Sequence, residues 1–429
     1  MVPGRHFEHR RIPMNLRSIF LLAAATLFTA CTPPAANTTN APSNANSANT
    51  NSNTSKASDT KKSSTDLKQL AQRIVTQSAG VKEGDIVLVD GGARDMELLE
   101  NIVVEVEKAG GQAMLTTESD ALGKRSYDEV PDKYDSQAPK LGLALAKIAN
   151  VSIAVDSQEA EAPLADVSPV RLAARAKAAS PVNAEFIKNK VRQVAVGNDL
   201  YPTEWRAKRY DMPFDAFTKA FWDGVNVDYT DLQARGEQAR KALAGKEIEI
   251  TNPNGTSIKF NLQTRPAYIS DGVISAEDIA AGNLSVFLPA GEAAVLAAPN
   301  SGTGKFVVDK DYFQGKEVHN LVLNFENGKL TSMTGEGDGF AGLKAAYDAG
   351  GDGKDLLSYV DFGINPNYVL PAGSKYGSWV SSGMVSLGSG NNTWAGGTNN
   401  STGGAGGHLA GCTVTIDGKT VVDKGELKL

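Results

Sequence analysis

The run between residues 84 and 197 constrains this chain most. "GDIVLVDGG" (84–92) is a short apolar stretch closed by two glycines, and "RDMELLENIVVEVEKAGG" (94–111) follows with helical spacing. "QAMLTT" (112–117), "NVSIAVD" (150–156) and "VRQVAVG" (191–197) are further short apolar runs. Strand-length apolar runs that alternate with helical stretches must bury both faces, which predicts a parallel sheet with helices packed on it. A helix precedes the first run in "DLKQLAQRIVTQSAG", where Asp66 can cap and Leu67, Leu70, Ala71 and Ile74 share one face. No GxGxxG follows the first strand and no GxxxxGK[ST] occurs anywhere, so dinucleotide and P-loop readings have little support.

After a helical connection over 215–245 the texture changes. "KEIEITNPNGTSIKFNL" (246–262) reads as a hairpin turning at "NPNG", and short alternating strands separated by Gly- and Asn-rich loops continue to the end. The expected fold class is α/β: an N-terminal parallel-sheet α/β domain over 66–245, then a mixed, β-rich α+β domain over 246–429. A length of 429 residues suits two domains.

The start of the chain reads as an address. "MNLRSIFLLAAATLFTAC" (14–31) has Arg17, a short apolar run and Cys31, which resembles a bacterial lipoprotein signal over 1–30 with lipidation of Cys31. Residues 31–65 are almost all Asn, Thr, Ser, Ala and Pro, which predicts a disordered tether between lipid anchor and folded body. A cell-envelope lipoprotein is expected. Thr32 follows the cysteine in place of the aspartate that resembles an inner-membrane retention signal, which favours the outer membrane. With Cys31 acylated, Cys412 has no disulfide partner and reads as a buried structural thiol. Net charge is −6, and the first thirty residues hold four arginines and one glutamate, leaving −9 on the rest. Such an acidic body argues against a nucleic-acid partner.

"SVFLPAGEAAVLAAPNSGTG" (285–304) places one acid, Glu292, among apolar and small residues. A carboxylate in such a run must take up a proton, pair, or bind a cation. Seven phrases then fall in one order: "VKEGDIVLVDGG", "YPTEWRAKRYDM", "NPNGTSIKFNL", "LPAGEAAVLAAP", "FGINPN", "AGGTNNS" and "TIDGKTVVDKG". In that order the chain resembles the thermophilic-type metalloaminopeptidases, the family that includes aminopeptidases T and S. The resemblance runs from about residue 66 to the C-terminus.

It implies a two-domain homodimer that releases N-terminal residues from peptides through a two-metal site in the C-terminal domain. Zinc, cobalt or manganese would be the divalent metal. Glu292 matches the family's first metal-binding glutamate, Asp361 falls where a second glutamate stands, and His408 matches a ligand histidine. Three positions depart from the pattern. Ser386 is the best match for the other ligand histidine, Ala410 replaces an expected aspartate, and no tyrosine follows Tyr376, with Trp394 in that neighbourhood. One metal rather than two is therefore expected, held by Glu292, Asp361 and His408.

Other candidates are weaker. His319, in an alternating strand, reads as a satisfied strand histidine, and Glu336 and Asp338 as solvated turn residues. Ser381, Ser382, Ser386 and Ser389 cluster, but no GxSxG elbow is present. Two functions stay open: a membrane-tethered metalloaminopeptidase with a partly degenerate metal site, or an inactive relative that binds peptide or solute at the envelope.

Overall fold

The computed structural model describes residues 66–198, 200–313, 316–369 and 380–429. The expected signal segment, Cys31 and the 31–65 tether lie outside them. Among the described residues no helix is long and apolar enough to cross a membrane.

The first strands are β1 (Ile86–Gly92), β2 (Gln112–Glu118), β3 (Val151–Val155) and β4 (Arg192–Val196), as the apolar runs predict. Helix α1 (Leu67–Arg73) is capped by Asp66, whose carboxylate accepts from the amides of Lys68 and Gln69, and a π-turn over Ile74–Ser78 follows it. Helix α2 (Met96–Lys108) buries Leu98, Leu99, Ile102 and Val106 at helical spacing, and Gly110, with φ of 80°, lets the chain turn back into β2.

The remaining strands are β5 (Glu247–Thr251), β6 (Ser257–Asn261), β7 (Tyr268–Ser270), β8 (Ser285–Leu288), β9 (Glu292–Leu296), β10 (Thr303–Phe313), β11 (Lys316–Glu326), β12 (Lys329–Glu336), β13 (Leu357–Gly363), β14 (Val385–Ser389), β15 (Gly406–Leu409), β16 (Thr413–Ile416), β17 (Lys419–Asp423) and β18 (Glu426–Leu427). The described strands form three sheets: a parallel β2-β1-β3-β4-β8, a long antiparallel β12-β11-β10-β6-β5-β16-β17-β18, and a smaller antiparallel β15-β14-β13-β9-β7. The architecture is thus a parallel α/β layer joined to β-rich antiparallel sheets.

Strand β8 returns from the β-rich half to close the edge of the parallel sheet, with Val194 opposite Val286 and Val196 opposite Leu288. Four residues after β8 ends, Glu292 opens β9 in the smaller antiparallel sheet. "LPAGE" is therefore the crossing between two sheets. Asn365 pins it, donating from Nδ2 to the carbonyls of Ala290 (2.7 Å) and Gly224 (2.9 Å). Gly291 has φ of 126°, and a Cβ there would stand 2.3 Å from the Asn365 Cβ, so only glycine fits. One apolar core runs from Val194 and Val196 through Leu288, Val360, Phe362 and Leu387 to Val414, which locks the sheets together.

Candidate metal centre

Strand register assembles the site. Across the smaller sheet, Tyr268 pairs with Ala294, Ala294 with Asp361, Asp361 with Ser386, and Ser386 with His408. Directly paired residues share a face and stand about 5 Å apart. Glu292 lies two residues from Ala294 on β9, so it joins the same face, paired with Gly363. Side chains spread over more than a hundred residues of sequence are thus collected into one row: an acid, a hydroxyl and an imidazole, with a second acid diagonal to the first.

The electrostatics show that the acids sense one another. Burial pushes the Glu292 carboxyl up to about 7, against the pull of His408, which favours the charged form. Asp361 is 5% exposed. Burial first, and then the neighbouring Glu292, raise its carboxyl well above the usual carboxylate range, although its Oδ1 accepts the Phe362 amide at 2.9 Å. No lysine or arginine among the described residues offsets either acid. The lone acid of the apolar run is therefore a real electrostatic cost, eased by the imidazole of His408 and added to, at Asp361, by the second acid.

Two further residues border this cluster that the motif match missed. Asp311, on β10 of the long sheet, is buried and places Oδ2 3.4 Å from Nδ1 of His408. Tyr359, two residues before Asp361 on β13, has its hydroxyl pushed up to about 12 by burial and then by Asp361, while a hydrogen bond with Ser386 works the other way. Its ring lies over Gly388, where a Cβ would come within 2.6 Å of Oη. Trp394 packs edge-on against both Tyr359 (5.2 Å) and Tyr268 (5.7 Å), making an aromatic wall beside the acids. Tyr359 is legible as the residue two before Asp361 on a strand. Asp311 is not, because burial on β10 switches from Phe306 and Val308 to the opposite parity at Asp311.

The other sequence candidates fall elsewhere. Lys310 pairs with His319 and Asp311 with Val318, so His319 points to the opposite face of the long sheet from Asp311. His319 meets Glu317 at 2.9 Å and stands across from Glu336. Asp338 begins the helix Asp338–Asp348 beyond β12. Ala410 directly follows β15 and its carbonyl accepts from Asn252. Cys412 is fully buried, its thiol pushed up to about 12 by burial, as a structural thiol should be.

Glu292, Asp361 and His408 offer two carboxylates and one imidazole, a donor set suited to zinc, cobalt or manganese. Ser386 and Ala410 add no comparable donor. Among the described residues no three His, Cys, Asp or Glu side chains stand as a bound metal would hold them. The donor types suit a divalent cation, but as they stand their arrangement does not hold one.

Comparison with known proteins agrees with this architecture. The fold is similar to wild-type AmpT from Thermus thermophilus, with a TM-score of 0.58 and 15% identity, covering 85% of this chain and 99% of that one. It is also similar to 2,5-dihydroxypyridine dioxygenase from Pseudomonas putida KT2440, with a TM-score of 0.50 and 12% identity, covering 84% and 96%. At such identities the likeness is one of fold alone. No curated protein matches the sequence. The family model described as thermophilic metalloprotease (M29) matches residues 63–349, a span that includes Glu292 and Asp311 and ends before Asp361, Ser386 and His408. Matched over more than half its length, the chain belongs to the thermophilic metalloprotease family M29, metal-dependent hydrolases that act on peptides.

Proposed function

We propose that this protein is a metalloaminopeptidase tethered to the cell envelope, which removes N-terminal residues from peptides with one divalent cation held by Glu292, Asp361 and His408. The observation that carries the reading is the cross-strand row: register sets Asp361 and His408 on either side of Ser386, with Glu292 diagonal to Asp361 on the same face. The raised carboxyls of the two neighbouring acids support it, since a divalent cation would favour the charged forms that burial now disfavours.

When bound, the cation supplies Lewis-acid polarisation of the scissile carbonyl and an activated water near neutral pH. The remaining roles belong to the chain. Tyr359, kept protonated by its surroundings, can donate a hydrogen bond from Oη toward a developing oxyanion. The aromatic wall of Tyr268, Tyr359 and Trp394 excludes water from one side of the acids. Ser386 holds the Tyr359 hydroxyl in place. Lipidation of Cys31, with residues 31–65 as tether, would hold the body at the outer membrane, where it would act on peptides as a homodimer; the signal-like segment supports this part.

A second reading, binding of peptide or solute without hydrolysis, is favoured by Ser386 and Ala410, which leave a second cation without donors. Metal analysis of the purified protein, coupled to hydrolysis of amino-acid amides with and without added zinc or cobalt, separates the two. Bound metal with metal-dependent release of the amino acid supports the peptidase. Metal-free, inactive protein that still binds peptide supports the second reading.

A further inference from the structure

We infer that Asp311 is the positioning residue for His408: its Oδ2 accepts the Nδ1 proton of the imidazole, which leaves Nε2 unprotonated with its lone pair free for a ligand. The inference deepens the single-cation reading and rests on it for the purpose of the device, though not for the tautomer itself. A neutral imidazole carries one proton, and the nitrogen facing a carboxylate is the one that keeps it. Nδ1 faces Oδ2 of Asp311 at 3.4 Å.

The carboxylate is held where it must be. Its other oxygen, Oδ1, accepts the Tyr312 amide at 2.8 Å, so the group cannot swing freely. Asp311 is 8% exposed, which keeps competing water away. The two strands approach closely because Gly407, beside the histidine, has no side chain; a Cβ there would stand 2.6 Å from Cγ2 of Val308 and 3.4 Å from Oδ2 of Asp311. Asp311 comes from the long sheet and His408 from the smaller one, so packing between sheets sets the imidazole's orientation. With Asp311 in that role, the ring has one nitrogen left to serve a ligand, on the face it shares with Glu292 and Asp361.

The test reads the tautomer directly, by long-range nitrogen–proton NMR of the full-length, metal-free protein at pH 8. The His408 signals are assigned by their loss in His408→Gln, and His319, on the opposite face of the long sheet, gives a reference. The expected wild-type pattern is a protonated Nδ1 and a bare Nε2, the reverse of the form favoured by free histidine. Asp311→Ala should return the ring to the Nε2–H form and weaken zinc binding about 10- to 100-fold in a chelator competition. A wild-type ring protonated at Nε2, or a tautomer unchanged in Asp311→Ala, would overturn the inference. The wild-type spectrum decides the point even if the variant fails to fold. A tautomer that switches in a protein that binds no zinc upholds the role of Asp311 and defeats only the metal reading.

Discussion

Asp156 and Glu292 both follow strands of the parallel sheet, one after β3 and the other after β8, and their settings are opposite. Asp156 meets the guanidinium of Arg206 at 2.9 Å, and Arg206, fully buried, also donates to the Tyr201 carbonyl. The same solution recurs nearby, where Arg192 binds Asp85 and Arg175 binds Asp135. Glu292 has no such partner and shares its surroundings with another acid. An acid paired with a guanidinium belongs to the scaffold, whereas one beside a second acid and an imidazole keeps a carboxyl raised toward protonation, the setting that the proposed cation would relieve. Asp90 complicates the contrast: it lies inside the parallel sheet, its Oδ2 has no hydrogen-bond partner, and burial and then Glu118 raise its carboxyl well above normal. Among the described residues no imidazole completes that pair, and protonation is its simpler resolution.

The largest effect should come at the uncompensated end of the comparison. Glu292→Gln is expected to lower kcat/KM for amino-acid amides about 1000-fold or more, since cation stabilisation is worth several kcal/mol. The metal-free protein should lose no stability, because the substitution removes a charge that burial already disfavours. Unchanged turnover would erase the distinction between Glu292 and an ordinary structural acid.

Asp156→Ala should do the reverse. Leaving Arg206 buried without its acid is expected to cost about 3 kcal/mol in urea unfolding, with kcat/KM of the folded fraction unaltered. A loss of turnover at full stability would place Asp156 in the functional half.

The pH dependence sharpens the contrast next. The Glu292 carboxyl is raised in the folded state to about 7, above its unfolded value near ~4.3. Its contribution to stability is therefore fully present below the unfolded value and lost as pH rises through about 7. Thermal unfolding should show a larger stabilisation by zinc at pH 8 than at pH 5, by about 2 to 4 °C for each kcal/mol regained. Equal shifts at both pH values would mean that the cation does not neutralise this acid.

The smallest effect is steric. In Gly388→Ala the new methyl meets the Tyr359 hydroxyl at 2.6 Å, which should cost about 1 to 2 kcal/mol of stability and reduce turnover by displacing Oη. An unaffected Tyr359 fluorescence and activity would show that the ring has room to move.

Much of the fold was legible along the chain. β1, β2, β3 and β4 coincide with the apolar runs, Asp66 caps α1, and Gly110 ends α2, because strand and helix signals are local: side-chain period, caps and positive-φ glycines. The motif order reached Glu292 inside one of its phrases, while Asp361 directly precedes "FGINPN" and His408 follows "AGGTNNS". What the phrases could not carry was the register that sets Asp361 beside Ser386 and His408, or the return of β8 to the parallel sheet.

Asp311 marks the boundary between the two kinds of information. In "KFVVDKDYF" nothing separates it from Asp309, because burial parity on β10 changes within the strand. Only the packing of the long sheet on the smaller one, through the bare face of Gly407, brings its carboxylate to the imidazole of His408. Sequence by itself determined which segments become strands and helices, because those preferences are settled within a few residues. The meeting of acid and imidazole from different sheets was decided by tertiary structure, because such contacts depend on how whole layers stack.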